Sequence, residues 1–210
     1  MTVAYLIRHG ESELNRGGVF RGTVDVPLNE HGRLQAEALG RALAKTRLDA
    51  VFSSPLARAF DTAHAVALPH RREVCIDKAF GNINLGEWQG KPKAQVARDY
   101  PEEWRLWTSN PERLLVPGGE SVGEVRERAW RRLAALVTGE CRGQRIAIVT
   151  HRTVIKAVLG AVLGLDRDYF WKFYLDPASY TVVMHSDEAG FYLYQMNVTT
   201  VIPPSAMEVF

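Results

Sequence analysis

The sequence predicts an α/β fold: a three-layer α/β/α sandwich with a mainly parallel central sheet and a helical insertion over the candidate site. Three observations carry that prediction. Short apolar runs rich in β-branched residues alternate with stretches of helical apolar spacing, the pattern of strands joined by crossover helices. Helix-start signals stand at the junctions between them. The alternation breaks once, between Gly81 and Gly119, where Gly, Pro, Asn and aromatic residues take over.

Val3 to Ile7 reads as a buried first strand. Asn29 caps a helix running to about Lys45, with Leu34, Ala38 and Ala42 on one face. Ala50 to Phe52 is a second short strand. Ser54-Pro55 then supplies an N-cap and a proline at the first helical position, opening a helix through about Ala67. Val74 and Ile76 suggest a third strand. Residues 81–119 read as an insertion of short helices, too small to be a domain of its own.

Ser121-Val-Gly-Glu124 is a capping box, with Val122, Val125, Ala129, Leu133 and Leu136 lining one helical face behind it. Ile146 to Thr150 is the clearest buried strand, and a helix follows from about Thr153 to Leu163. Val182 to His185 and Phe191 to Tyr194 form a closing hairpin around Glu188-Ala-Gly190. The expected organisation is one domain over residues 1–198 and a C-terminal tail over 199–210.

Composition narrows the function classes. With 210 residues, 46% hydrophobic and 24% charged, the chain can build one substantial core. A net charge of +2 argues for neither nucleic acid nor an anionic membrane surface. Cys75 and Cys141 stand far apart in no metal-ligand spacing, and so read as reduced thiols. The N-terminus lacks a basic region and a cleavage site, and the apolar stretch from Val154 to Leu165 is interrupted by Lys156. The expectation is a cytoplasmic protein.

Three of the predicted strands end in polar residues that packing alone does not call for. The first ends in Arg8-His9-Gly10-Glu11. The second ends in Ser53-Ser54, with Arg58 in the first turn of the helix that follows. The strand at Ile146 ends in Thr150-His151-Arg152. In open α/β sheets ligands bind beyond the carboxyl ends of the strands, next to helix N-termini that favour anions. Guanidinium groups grip phosphate oxygens in a planar fork, and a neutral imidazole is a competent nucleophile. A second, protonated imidazole stabilises charge on the transferring group. His9, Arg8, Arg58 and His151 thus point to phosphoryl chemistry without a metal or other cofactor.

The motifs also carry a resemblance. Leu6-Ile-Arg8-His9-Gly10-Glu11-Ser12 resembles the signature of the histidine phosphatase superfamily, in its phosphoglycerate-mutase-like branch. The similarity continues through Phe20-Arg-Gly22, Asp25-Val-Pro-Leu28 and Ser53-Ser54-Pro55-Leu-Ala-Arg58. It resumes at Ile83-Asn-Leu-Gly86-Glu-Trp88-Gln-Gly90, Gly118-Gly-Glu120-Ser121 and Val149-Thr-His151. The resemblance implies that His9 is the phosphorylated nucleophile and that Arg8, Arg58 and His151 form the phosphate pocket. It implies a further phosphate hydrogen bond from Asn15, and places Arg21, Gly22 and Thr23 on the substrate side. Arg152 and Thr153 fall at positions that shape specificity or bind phosphate.

One position departs from the family pattern. Where relatives have a glutamate acting as general acid, this chain has Asn82. An amide cannot donate and retake a proton, a loss that commonly costs ~10²–10⁴ in rate. Three accounts stand open: an acid from Glu11, Glu87 or Glu120; a slow enzyme limited to good leaving groups; or an inactive descendant. The expected function is therefore a phosphomonoesterase acting on small phosphorylated metabolites through a phosphohistidine on His9. The alternatives are a phosphoglycerate-type mutase and a catalytically impaired phosphoester-binding module. Phosphoserine phosphatases of this branch resemble Tyr169-Phe-Trp171 and Ala178-Ser-Tyr180, but Leu85 occupies a site where they can carry histidine. No metal, nucleic acid or membrane is expected as a partner, and relatives suggest a homodimer through a sheet edge.

Other residues read as structural: His31, His64, His70, His185, the tryptophans of the insertion, and Arg126, Arg128, Arg131 and Arg132 on the solvated side of their helix.

Overall fold

Strict alternation in the central strands sorts side chains onto two faces of one sheet. The computed structural model describes residues 1–13 and 18–200. Its strands are β1 (Thr2–Arg8), β2 (Ala50–Ser53), β3 (Val74–Ile76), β4 (Arg145–Thr150), β5 (Tyr180–Ser186) and β6 (Gly190–Val198). They lie in the order β3-β2-β4-β1-β5-β6. The first four run parallel, β5 pairs antiparallel with β1, and β6 returns antiparallel to β5. The sheet is mixed, with its parallel part where the sequence placed it.

The helices are α1 (Glu30–Leu43), α2 (Ala57–Ala67), α3 (Lys93–Asp99), α4 (Pro101–Ser109), α5 (Val122–Ala135) and α6 (Arg152–Val162). On one face of the sheet, Ile7, Val51, Ala147 and Val149 pack with Leu39 and Leu43 of α1 and Ala59, Ala63 and Val66 of α2. On the other, Ala4, Leu6, Phe52, Ile146 and Ile148 pack with α5, α6 and the aromatic insertion. Consecutive residues such as Leu6 and Ile7 serve opposite layers, as the two-residue period of a strand requires.

Local signals hold at most elements. Asn29 accepts the Gly32 amide and caps α1, and Ser121 and Glu124 form the reciprocal capping box of α5. Residues 81–119 contain α3, α4 and two 3₁₀ turns, with Trp88 and Trp107 buried among Phe20, Tyr100 and Phe170. Of the expected tail, residues 201–210 lie outside the described residues. No helix among the described residues is long and apolar enough to cross a membrane.

Three readings are corrected. The inner face of α1 is Gln35, Ala36, Leu39 and Leu43, while Leu34 is 47% exposed and Ala42 lies on the outside. Ala38 is buried as expected, and α1 approaches α2 closely at Gly40, where a Cβ would stand 2.3 Å from the Ala65 carbonyl oxygen, with Leu39 and Leu43 packed beside it. Next, α2 begins at Ala57 after Leu56, and Ser54 does not cap it. The Ser54 hydroxyl lies 2.8 Å from His151 Nε2 and accepts the Leu56 amide at 3.3 Å, one residue ahead of the helix. Finally, of the four arginines of α5 only Arg131 lies on a solvated face, paired there with Glu127. Arg126 donates to the Leu165 carbonyl, Arg128 is tied to the chain at residues 79–82, and Arg132 bridges Asp77 and Glu140.

Candidate active site

The sheet register puts three strand ends in one row. Arg8 stands beside Thr150, and Ser53 beside Val149. The His9 amide donates to the Thr150 carbonyl at 3.0 Å, and the Ser54 amide to the Val149 carbonyl at 2.9 Å. The loop after β1 is pressed against the first turn of α1. A Cβ on Gly10 would come within 2.5 Å of the Gly32 carbonyl oxygen, which is why glycine follows the histidine. The Gly10 amide is held by the Thr62 hydroxyl of α2 at 3.1 Å.

This geometry fixes the His9 tautomer. His9 Nδ1 lies 2.6 Å from the Gly10 carbonyl oxygen. A carbonyl only accepts, so Nδ1 carries the proton and a neutral ring keeps its lone pair on Nε2. The His151 ring is 5.1 Å away centroid to centroid, set edgewise at 61°. Both imidazoles are almost fully buried, at 3% and 2% exposure. Burial first, and then Arg58, His151, Arg8 and Arg21, hold His9 well below the usual imidazole value of 6.5. Burial, Arg58, Arg21, Arg8 and Arg128 do the same to His151. Both shifts favour neutral rings at physiological pH.

The arginines enter from separate segments. Arg8, at the end of β1, donates from Nη1 to the Leu175 carbonyl at 2.6 Å. Arg58, in the first turn of α2, donates to the Val24 carbonyl at 2.9 Å and the Gly22 carbonyl at 3.3 Å. Its Nε is buried without a partner among the described residues. Burial lowers Arg58 to about 10, against the pull of Asp25, so it remains a cation at neutral pH. Arg21 reaches Ser12 Oγ at 3.1 Å. The chain thus brings His9, Arg8, Arg58, His151 and Arg21 together. Asn15 lies outside the described residues.

Asn82 approaches from the insertion. Its Nδ2 donates to the Gly22 carbonyl at 2.8 Å, and its Oδ1 is buried with no partner among the described residues. Gly22 adopts φ +53°, and a Cβ there would strike the Gln89 side chain. Thr23 donates from both its amide and its hydroxyl to Gln89 Oε1. Arg152 begins α6, with its guanidinium 5.9 Å from the Trp171 ring centre. Leu85 is 5% exposed within the apolar core.

The candidate substitute acids each have structural partners. Glu11 accepts from Asn29 at 2.9 Å, Glu87 from Tyr100 at 2.9 Å, and Glu120 grips Arg128 by both oxygens at 2.6 and 2.9 Å. Sequence reasoning missed two residues at this site: Ser54 as the partner of His151, and Arg128 as a further cation near it. The position of Arg128 three residues after buried Val125, at the border of the apolar stripe, was the available signal. Among the described residues, no group of three or more His, Cys, Asp or Glu side chains could hold a metal ion.

A neutral imidazole with a directed lone pair, among fixed guanidinium groups at the carboxyl edge of a parallel sheet, defines a phosphoryl-transfer class of α/β protein. The sequence model of the Histidine phosphatase superfamily (branch 1) matches residues 4–199. Phosphoserine phosphatase 1 of Hydrogenobacter thermophilus is 34% identical over 210 residues, covering 95% of this chain and 93% of that protein. The solved structure of YhfR from Bacillus stearothermophilus superposes with a TM-score of 0.91 at 28% identity, covering 96% of this chain and all of that one (100%). A mycobacterial glucosyl-3-phosphoglycerate phosphatase solved in complex with VO3 matches at a TM-score of 0.85 and 29% identity, over 94% of this chain and 99% of that one. The chain belongs to the histidine phosphatase superfamily. It is a hydrolase of the phosphatase type.

Proposed function

We propose that the protein is a metal-independent phosphomonoesterase of small phosphorylated metabolites that works through a phosphohistidine on His9. The single observation that carries this reading is the bond from Nδ1 to the Gly10 carbonyl, which leaves the lone pair on Nε2 of a ring that lies in the field of Arg58, Arg8 and Arg21. Arg8 and Arg58 hold the phosphoryl oxygens, with Arg21 on the substrate side. The His9 Nε2 lone pair forms a bond to phosphorus as the bond from phosphorus to the ester oxygen breaks. The leaving oxygen keeps that electron pair and takes its proton from water. A second water then attacks the phosphohistidine, losing a proton to the hydroxide left by the first step, the P–N bond breaks back onto Nε2, and inorganic phosphate departs.

Burial and the arginines hold His151 neutral, and an arriving phosphate dianion reverses the local field. Binding therefore favours a proton on His151, whose cationic ring then stabilises the equatorial oxygens. Asn82 has no proton to give, and Glu11, Glu87 and Glu120 are engaged elsewhere, so turnover is limited by the basicity of the leaving group. The names of the relatives support small phosphorylated substrates: one is called a phosphoserine phosphatase and another a glucosyl-3-phosphoglycerate phosphatase. The free thiols Cys75 and Cys141 support a reducing, cytoplasmic setting.

The test is hydrolysis of p-nitrophenyl phosphate by wild type and His9→Ala, with alkaline quench of labelled enzyme to trap the alkali-stable phosphohistidine. Wild-type turnover with label on His9, both absent in the variant, is the expected result. Undiminished turnover in His9→Ala refutes the nucleophile.

A further inference from the structure

Arg128 projects from α5 into the back of the turn that carries Asn82, and all five of its donors are used. Nε donates to Glu120 Oε1 at 2.6 Å. Nη1 donates to the carbonyls of Ala79 and Gly81 at 2.7 and 2.9 Å. Nη2 donates to the Asn82 carbonyl at 3.2 Å and to Glu120 Oε2 at 2.9 Å. Three carbonyls of one turn are thus gathered on a single planar fork, an arrangement the three donors of a lysine cannot copy. Glu120 completes the clamp: its amide donates to the Asn84 carbonyl at 2.7 Å, and its carboxylate holds the fork in orientation. From the opposite side, the Thr150 hydroxyl, next to His151, donates to the Phe80 carbonyl at 2.6 Å.

Such a clamp exceeds what holding a turn requires, and its consequence lies one residue further. The Asn82 side chain, whose backbone is on the fork, donates to the Gly22 carbonyl. That same carbonyl accepts from Nη2 of Arg58. We propose that Arg128 is a positioning residue that sets the Asn82 side chain on the Gly22 carbonyl and thereby orients the Arg58 guanidinium toward the phosphoryl group. The inference rests on the reading of Arg58 as a phosphoryl ligand. It also gives Asn82 a task that needs an amide: a carboxylate at this place could not donate to Gly22. The Arg128 donors all go to protein partners, and it is one of the charges that act on His151.

The experiment is a double-mutant cycle read as the dissociation constant of inorganic phosphate by calorimetry, which does not depend on turnover. Proteins are wild type, Arg128→Met, Asn82→Ala, the double variant and Arg58→Met, each checked for folding by its melting temperature. Arg128→Met is expected to weaken phosphate binding roughly tenfold or more, the scale of losing one charge-assisted hydrogen bond. The double variant should bind no more weakly than Asn82→Ala alone, because the two act in series. Phosphate affinity unchanged in folded Arg128→Met, or losses that multiply in the double variant, would overturn the inference. If Arg128→Met does not fold, Arg128→Lys replaces it in the same cycle, with the same expected and overturning results. Arg58→Met separates the layers: unchanged phosphate binding there sinks the phosphate-site reading itself, whereas weakened binding there with an intact Arg128 variant sinks only the positioning role.

Discussion

Restoring a carboxyl at position 82 is the sharpest perturbation of this site. In the wild type, Asn82 Nδ2 sits 2.8 Å from the Gly22 carbonyl oxygen, which also accepts from Arg58. A glutamate there has two stable options: protonated, it donates to Gly22; ionised, it turns toward Arg58. Partial burial favours the proton and Arg58 disfavours it, so the new carboxyl can deliver a proton and recover one within a turnover. General acid catalysis contributes ~10²–10⁴ in rate when the leaving group needs a proton, and little when it departs as a stable anion. Asn82→Glu should therefore raise the ratio of alkyl to p-nitrophenyl phosphate turnover by roughly that factor, since any loss of Arg58 orientation falls on both substrates alike. The assay is the ratio of the two rates in wild type and variant, followed over pH. The alkyl rate of the variant should fall as pH rises through the pKa of the new carboxyl. A folded variant with an unchanged alkyl-to-aryl ratio would refute the assignment of Asn82 to the acid position.

Stability should depend on pH through the two buried imidazoles. Their folded pKa values lie below 6.5, so the unfolded chain binds more protons, and the stability is complete above that value and lost as pH falls below it. From pH 7 to pH 5.5 the two rings together should cost roughly 2–3 kcal/mol, or about 5–10 °C in Tm, read by calorimetry in phosphate-free buffer. Saturating inorganic phosphate should remove most of that loss, and phosphate binding near pH 6 should take up protons, seen as an enthalpy that varies with the ionisation enthalpy of the buffer. Gly10→Ala should destabilise by about 1–3 kcal/mol and depress activity, because its Cβ meets backbone at 2.5 Å; thermal melts and p-nitrophenyl phosphate turnover check both. Chelation with EDTA should leave kcat intact, and strong magnesium dependence would refute a site whose cations are side chains.

Much of this protein was written in local sequence. Short apolar runs rich in β-branched residues marked β1 and β4, the Ser121/Glu124 box marked the start of α5, and the hairpin of β5 and β6 lies around Glu188-Ala-Gly190. These signals work because strand alternation and helix caps are satisfied by neighbours in the chain. The polar strand ends marked His9, Arg58 and His151 for the same reason: parallel strands place their carboxyl ends along one edge whatever lies between them.

Only tertiary structure decided the rest. The inner face of α1 contains a buried polar residue, Gln35, whose Oε1 accepts the Glu11 amide at 2.9 Å, and a glycine that lets α2 approach. No count of apolar residues finds such a face. Ser54 carries the local mark of a helix cap, and its hydroxyl does accept the nearby Leu56 amide, yet it also meets a histidine 97 positions away. Arg128 has the composition of a surface residue, yet it spends all five donors on a turn nearly fifty positions earlier and a carboxylate eight positions back. A sequence states which donors and acceptors a segment owns. Which of them meet is settled when distant segments are brought together and every buried polar group must find a partner.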